Sequence, residues 1–378
     1  MKRKLTAILG AFALLVAAET AFGQESAAFD QESAAFDQES AAFDQESLVG
    51  QAYTPAEAGL CQGDTCAPSG CDSCGGQACR RCPKWTFYGE HLYLRPGNEK
   101  VSFGVPIDSS GPEPPETPIP IGREAVADID FESGFRVGFA RVLSSCSSLG
   151  ADYTHFESDT NSHTQVTAPT VLRSLVFHPS TANAAADFLT AQARYDIDFE
   201  TADVNYRRML TCGPRHQLNW LAGVRYAHLQ QDFSSVFTNA TTVETIETDI
   251  TFDGGGLRLG LEGERRVGCG LLVYGRGYAS FVGGEFNTDY RQGDNFAGTV
   301  VDTGWEEDRV VSILDLELGV GWVSSGGRVR LSGGYSFSGW YDVIPTDELI
   351  EAVRTNDSTS VDDTLTFDGL VARAEVRY

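Results

Sequence analysis

The chain has 378 residues, 40 of them glycine, with 53 acidic against 28 basic side chains and a formal net charge of −25. A surface this acidic repels nucleic acid, which excludes that partner class. Past the N-terminus no stretch stays apolar for about 18 residues, so no transmembrane helix is expected, while a closed barrel with half-apolar strands stays open as a way across a bilayer.

Lys2-Arg3-Lys4, an apolar run from Leu5 to Ala18 and the small-residue stretch Ala21-Phe22-Gly23 read as a secretory signal over 1–23. Without Lys2, Arg3, Lys4 and Glu19, 25 basic and 52 acidic residues remain, a net charge near −27. Export also makes disulfides available. Residues 24–48 carry QESAAFD three times in tandem. A coiled coil needs apolar residues at both seam positions, and each heptad here offers one Phe (Phe29, Phe36, Phe43) beside contiguous alanines. The repeat reads as an acidic linker, with a docking segment for a periplasmic partner as the alternative. Residues 49–83 follow, a disordered or loosely folded Cys-rich segment with Cys61, Cys66, Cys71, Cys74, Cys79 and Cys82.

From residue 84 to 378 the pattern is that of an all-β, transmembrane, antiparallel up-and-down barrel of about 10 strands (8–12), with segments of alternating polarity. In one of them Leu314, Leu316, Leu318, Val320 and Trp322 interleave with Asp315, Glu317, Gly319 and Gly321. Ten such segments lie near 85–94, 130–143, 149–157, 194–210, 217–233, 250–266, 271–283, 309–322, 328–341 and 364–378. Long polar connections (95–129, 158–193, 234–249, 284–308, 342–363) alternate with short ones (144–148, 211–216, 267–270, 323–327). That alternation predicts short periplasmic turns and long extracellular loops. Segments 194–210 and 250–266 change phase once, which reads as a bulge in each, the second within Gly254-Gly255-Gly256. Two aromatic girdles are expected, Trp85, Tyr206, Trp220, Trp322 and Tyr378 at the turn rim, and Tyr93, Phe281, Trp340, Tyr341 and Phe367 at the loop rim. The alternating stretch ending on Tyr378 resembles the C-terminal signal read by the barrel-insertion machinery.

The stretches DVNYRRMLTCG (203–213), LAGVRYAHL (221–229) and GGLRLGLEGERRVGCGLLVYGRG (255–277) resemble the Legionella-type major outer membrane protein family, over roughly residues 85–378. The resemblance implies a pore-forming outer-membrane barrel and carries over no individual functional residue.

Cys146, Cys212 and Cys269 fall in three of the four short turns, which makes all nine cysteines disulfide candidates on the periplasmic side. Neighbouring turns stand about 10 Å apart, too far for an unstrained bond, so the mobile extension is the easier partner. Disulfide is favoured over zinc, because the two C-x-x-C pairs lie closer than in most thiolate knuckles. An odd total makes a disulfide-linked envelope neighbour a candidate partner.

No catalytic constellation, metal site or cofactor motif emerges, and no enzyme is expected. By parity, Glu132, Arg136, Asp152, Arg225, Arg258 and Glu262 point into the lumen, as do Arg276, Asp315, Glu317, Arg330, Arg373 and Glu375. Asp302, Glu306, Glu307 and Asp308 in the predicted loop 284–308 are oxygen donors of the kind Ca²⁺ takes, and read more simply as a solvated acidic surface. The expected function is passive passage of small hydrophilic solutes or ions through an outer membrane whose lipid surrounds the barrel. The alternative is a structural or surface-interaction protein anchored by the barrel and crosslinked through its cysteines.

Overall fold

The computed structural model describes residues 84–108, 119–144, 146–181, 187–358 and 361–378. The expected signal, repeat linker and Cys-rich segment, with Cys61, Cys66, Cys71, Cys74, Cys79 and Cys82, lie outside the described residues.

In chain order the strands begin with β1 (Trp85–Gly97), β2 (Lys100–Asp108), β3 (Ala125–Asp128), β4 (Glu132–Ser144), β5 (Ser147–Gln165) and β6 (Thr170–Ser174). They continue with β7 (Thr190–Cys212), β8 (His216–Thr238), β9 (Val243–Gly268), β10 (Leu271–Asp294) and β11 (Gly298–Val323). β12 (Val329–Val343), helix α1 (Thr346–Thr355) and β13 (Asp363–Arg377) complete the set. Ten of the strands close a barrel in the order β1-β13-β12-β11-β10-β9-β8-β7-β5-β4, with β1 pairing antiparallel to both β13 and β4. The other three form a small sheet, β3-β2-β6.

All ten expected segments are barrel strands, but several run far longer than the alternation suggested. The stretches 234–249 and 284–308, read as loops, are mostly strand: β8 runs to Thr238, β9 starts at Val243, β10 reaches Asp294 and β11 starts at Gly298. Asp302, Glu306, Glu307 and Asp308 are accordingly strand residues of β11.

The phase changes in 194–210 and 250–266 also have another cause. Pairing of β9 with β8 and β10 runs unbroken through Gly254-Gly255-Gly256. On β7 the register shift falls at Met209/Thr211, beside the turn, and not in mid-strand. The parity of these strands holds from end to end, and what inverts is the environment. On β7 the inward residues Tyr195, Ile197 and Phe199 are buried and apolar, while Asp203 and Asn205 further down the same face are polar. Its outward residues Asp196, Asp198 and Glu200 give way to Ala202 and Val204. β9 does the same, with Ile246, Ile250 and Phe252 inside above Arg258 and Glu262, and Glu247, Asp249 and Asp253 outside above Leu257 and Leu259. The half toward the turns is built for lipid outside, and the half toward the loops is built for water outside.

The lipid-side belt runs on β10 from Leu271 to Phe281, eleven residues that rise about 25 Å when tilted as barrel strands are. Trp322 and Tyr378 are exposed at its turn rim, Tyr93 and Phe281 at its loop rim. Trp340 and Phe367, expected in the loop-rim girdle, instead face inward and are 1% and 0% exposed. They share the inward parity of Arg330 and Arg373 on their strands.

Inside the loop half, the small sheet and α1 fill the mouth of the barrel. Phe103 of β2, with Phe177 and Phe188 from the connection between β6 and β7, packs around Phe237 of β8 at ring-centroid distances of 6.3, 4.8 and 5.4 Å. α1 carries Asp347 and Glu348 in its first turn and ends on Asn356 in the left-handed region (φ 54), burying Leu349, Ile350 and Val353. Burial of this apolar face against the wall, more than propensity, holds so short a helix.

At the turn end, Cys269 (φ 48) and Gly270 (φ 83) both take positive φ, the requirement of a two-residue hairpin of the primed type. Cys212 is the last residue of β7, and the turn proper is 213–215. Among the described residues no disulfide joins two cysteines.

Candidate functional site

The lumen of the turn half is filled by side chains. Glu90 of β1 is opposite Arg136 of β4 and Arg373 of β13 in register, and its carboxylate meets them at 2.7 and 2.9 Å. Arg276 of β10 bridges Glu90 at 3.3 Å to Glu317 of β11 at 3.2 Å, and Tyr274 donates to Glu317 at 2.7 Å. Nearer the turns, Arg330 meets Glu264 at 2.8 Å, and Glu375 holds Arg377 at 2.7 Å and Arg373 at 3.1 Å. Arg207 and Tyr278 both donate to Glu262 at 2.7 Å. Higher up, Arg225 donates to both oxygens of Asp203, at 2.7 and 2.8 Å, and to Asp315 at 2.7 Å. Arg258 meets the same Asp203 and reaches Asp315 at 3.5 Å, while Asp152 accepts from Tyr88 at 3.0 Å. The guanidinium groups of Arg373 and Arg258 lie 3.6 and 4.2 Å from the rings of Tyr88 and Tyr278.

Eight arginines (Arg136, Arg207, Arg225, Arg258, Arg276, Arg330, Arg373, Arg377) thus face eight carboxylates (Glu90, Asp152, Asp203, Glu262, Glu264, Asp315, Glu317, Glu375). In a chain of formal charge −25, this interior is balanced to zero. Balance is what the location demands, because a charge withdrawn from water must be paired and hydrogen-bonded. Room for the long arginines comes from small residues facing them across the sheet: Gly223 is opposite Arg258, and Gly256 opposite Arg225.

Of the twelve candidates read from parity, the structure brings Arg136, Asp152, Arg225, Arg258, Glu262 and Arg276 into this network, with Asp315, Glu317, Arg330, Arg373 and Glu375. Glu132 lies opposite Leu94 at the loop end of β4 and makes no ion pair among the described residues. Sequence reading missed Glu90, Asp203, Arg207, Glu264 and Arg377, along with the tyrosines Tyr88, Tyr274 and Tyr278. Strand parity would have found Asp203 and Arg207 had the phase of segment 194–210 not been broken in the reading.

Above the charges lies an aromatic layer. Phe199 contacts Phe367, Trp340 and Phe156 at 4.5, 5.8 and 5.4 Å between centroids. Between this layer and the charges is a cavity of about 20 Å³, bordered by Arg136, Arg225, Asp315, Phe199 and Trp340, with room for about one water.

The plug above is tied to the wall by a buried polar latch. The Tyr195 hydroxyl lies 2.5 Å from Glu99 Oε2 and 3.2 Å from Gln231 Oε1. Gln231 also accepts from Thr346 of α1 at 3.2 Å and donates to the Ile344 carbonyl at 2.9 Å. Tyr195 has one proton and cannot donate to both acceptors. A protonated Glu99 resolves this, donating to the tyrosine oxygen and leaving the tyrosine proton for Gln231. Electrostatics agree: burial pushes the Glu99 carboxyl up to about 8, with the Tyr195 contact opposing the rise and Asp347 and Asp363 adding to it.

The outer face of the loop half is acidic by register. Asp159, Asp196, Asp232, Asp249 and Asp289 stand abreast across β5, β7, β8, β9 and β10. A groove of about 280 Å³ opens over the last four, flanked by Glu247 and Arg291. Partial burial and then Glu157 raise Asp198 to about 6, and partial burial and then Asp249 raise Asp232. Two rows lower, at the border with the belt, stand His155, Glu200, His228 and Asp253. Asp253 accepts from Tyr226 at 2.6 Å and lies 2.9 Å from His228 Nδ1. Among the described residues no three His, Cys, Asp or Glu side chains are grouped to hold a metal ion.

A closed barrel with an apolar outer belt and a charged, filled lumen defines a membrane β-barrel of the outer-membrane class. The chain belongs to the family of the Legionella pneumophila major outer membrane protein precursor, which matches residues 78–377. Among solved structures it is similar to the outer membrane protease OmpT from Escherichia coli, at 11% identity and TM-score 0.43, covering 78% of this chain and 97% of that one. It is also similar to the toluene transporter TodX of P. putida, at 10% identity and TM-score 0.33, covering 78% and 90%. No curated protein matches the chain.

Proposed function

We propose that the protein is a closed outer-membrane barrel that anchors a water-exposed β-wall at the cell surface, with its loop end outward, and that it conducts no solute at rest. One observation carries the reading: the charge-balanced network and the apolar plug stand in series across the lumen, with a cavity of about 20 Å³ between network and aromatic layer. In this reading the protein is not an enzyme, and its partners are the surrounding lipid, the insertion machinery and whatever meets the wall. Cys146, Cys212 and Cys269 sit at the end where the chain enters β1 and suit crosslinks to the N-terminal extension or an envelope neighbour. Gel mobility with and without reductant tests this: bands that do not move on reduction count against it.

A second reading, gated passage of small hydrophilic solutes or ions, is favoured by the Glu99–Tyr195–Gln231 latch, because a plug held by a titratable group can be released. Single-channel conductance in a planar bilayer at pH 7 and pH 9 separates the two. Silence at both supports the anchor, steps only at pH 9 support the gate, and steady conductance at pH 7 sinks the anchor in favour of an open porin.

A further inference from the structure

Six strands, β5 and β7 to β11, continue past the lipid belt, while β12, β13, β1 and β4 stop near it. The tall wall therefore has two side edges. On the β5 edge, Ser162 donates to the Val126 carbonyl of β3 at 2.9 Å. On the β11 edge the described residues place no strand. β12 pairs with β11 only from Ser312 opposite Tyr341 toward the turns. Gly298 to Val311, 14 residues, thus have β10 on one side and no strand on the other among the described residues. That is a strand edge about 45 Å long.

Its chemistry is specific. Trp305 donates its N–H to the Thr288 hydroxyl on β10 and accepts from it. By the alternation of an antiparallel ladder, Asp302, Gly304, Glu306 and Asp308 then turn their N–H and C=O groups to the open side. The side chains of Asp302, Glu306 and Asp308 are exposed on the outer face, and Gly304 between them leaves the backbone uncovered. The base on this stretch, Arg309, is engaged inward with Glu307 at 2.7 Å and the Val361 carbonyl at 2.6 Å.

Two occupants are disfavoured by charge. A second copy of this edge would set acid against acid, which is destabilising in directly opposed pairs. The QESAAFD repeat carries Glu and Asp and no basic residue. We propose that the β11 edge from Gly298 to Val311 receives, by strand addition, an extended segment of another protein with Lys or Arg at alternate positions. Backbone hydrogen bonds would supply the affinity and the acid row the choice of partner. The competing role for these acids is protection, since charges on an edge also prevent edge-to-edge aggregation.

The test uses full-length protein in detergent and a short labelled peptide of alternating Lys and Thr, beside a control of equal charge with Pro replacing alternate Thr. We expect the uninterrupted peptide to bind at least about tenfold tighter, and its isotope-labelled amide band to move to the strand position. The triple variant Asp302→Lys, Glu306→Lys, Asp308→Lys, checked for heat-modifiable migration, should lose that binding. Equal binding of the Pro control would reduce the effect to charge and overturn the proposal. Absence of binding would leave the acids as guards, and self-association of the protein through this edge would overturn it as well. The inference rests on the wall being the working surface, but the assay reads no conductance, so a conducting protein would sink that reading while leaving this result intact.

Discussion

Asp203 on β7 and Arg225 on β8 face each other in register, and the guanidinium donates to both carboxylate oxygens, at 2.7 and 2.8 Å. The pair is 99% and 96% buried at its side chains and shares Asp203 with Arg258. Asp315 is shared by the same two arginines, so two carboxylates hold two cations in the middle of the barrel.

Asp203→Ala should therefore destabilise the barrel by about 3–5 kcal/mol, since two buried guanidinium groups lose one of their two shared carboxylates. The temperature at which heat-modifiable migration changes reads this directly. Asp203→Ala with Arg225→Met should cost less than the sum of the two singles. Strict additivity would show that the pair is not coupled.

Trp340→Ala should cost about 3–5 kcal/mol, because it opens a hole in the aromatic layer beside Phe199 and Phe367. A Trp340→Phe variant should recover much of that. If Trp340 lay in the lipid girdle instead, the alanine variant would change thermal stability little.

The loop half should lose stability between pH 6 and pH 9. Glu99 is raised from 4.5 to about 8, so its contribution is complete below 4.5 and disappears as pH rises through 8. Asp198, raised from 3.8 to about 6, has the same sign and acts lower, between those values. Proteolysis of the plug segments at pH 6 and pH 9 measures the effect, and Glu99→Gln should flatten it. A slope unchanged in that variant would place the titrating group elsewhere.

Asp232→Asn should stabilise the wall by a few tenths to about 1 kcal/mol, by relieving repulsion from Asp196 and Asp249 on either side. High salt should shrink the gain, because these groups face water. A loss of stability would mean that the aspartate row is held together by something beyond its own side chains.

The barrel, its ten strands and most of its lumen charges were legible because alternation is a local property and parity assigns faces without tertiary knowledge. Trp340, Phe367 and the extended strands were not, because the alternation was judged by which face is apolar. That test works only while the solvent outside stays the same. On β7 and β9 it changes halfway, so a constant parity looked like two phases. The plug was hidden for another reason: Val101, Phe103 and Leu172 lie in short strands whose partner is the barrel's inner wall, and no local pattern announces a partner so distant in sequence. Glu99 and its latch were equally invisible, since Tyr195 and Gln231 lie 96 and 132 positions further along the chain.

The row His155, Glu200, His228 and Asp253 marks where each strand trades one surroundings for the other, and this acts as a waterline. Sliding the molecule outward by two residue pairs would lift Leu257 and Val224 to the level of Asp253 and His228, and sinking it by as much would push Asp253 and Glu200 into hydrocarbon. Both errors raise the free energy, so the immersion depth of the barrel is written into its strands. Any binding on the tall side therefore takes place at a fixed height above the lipid.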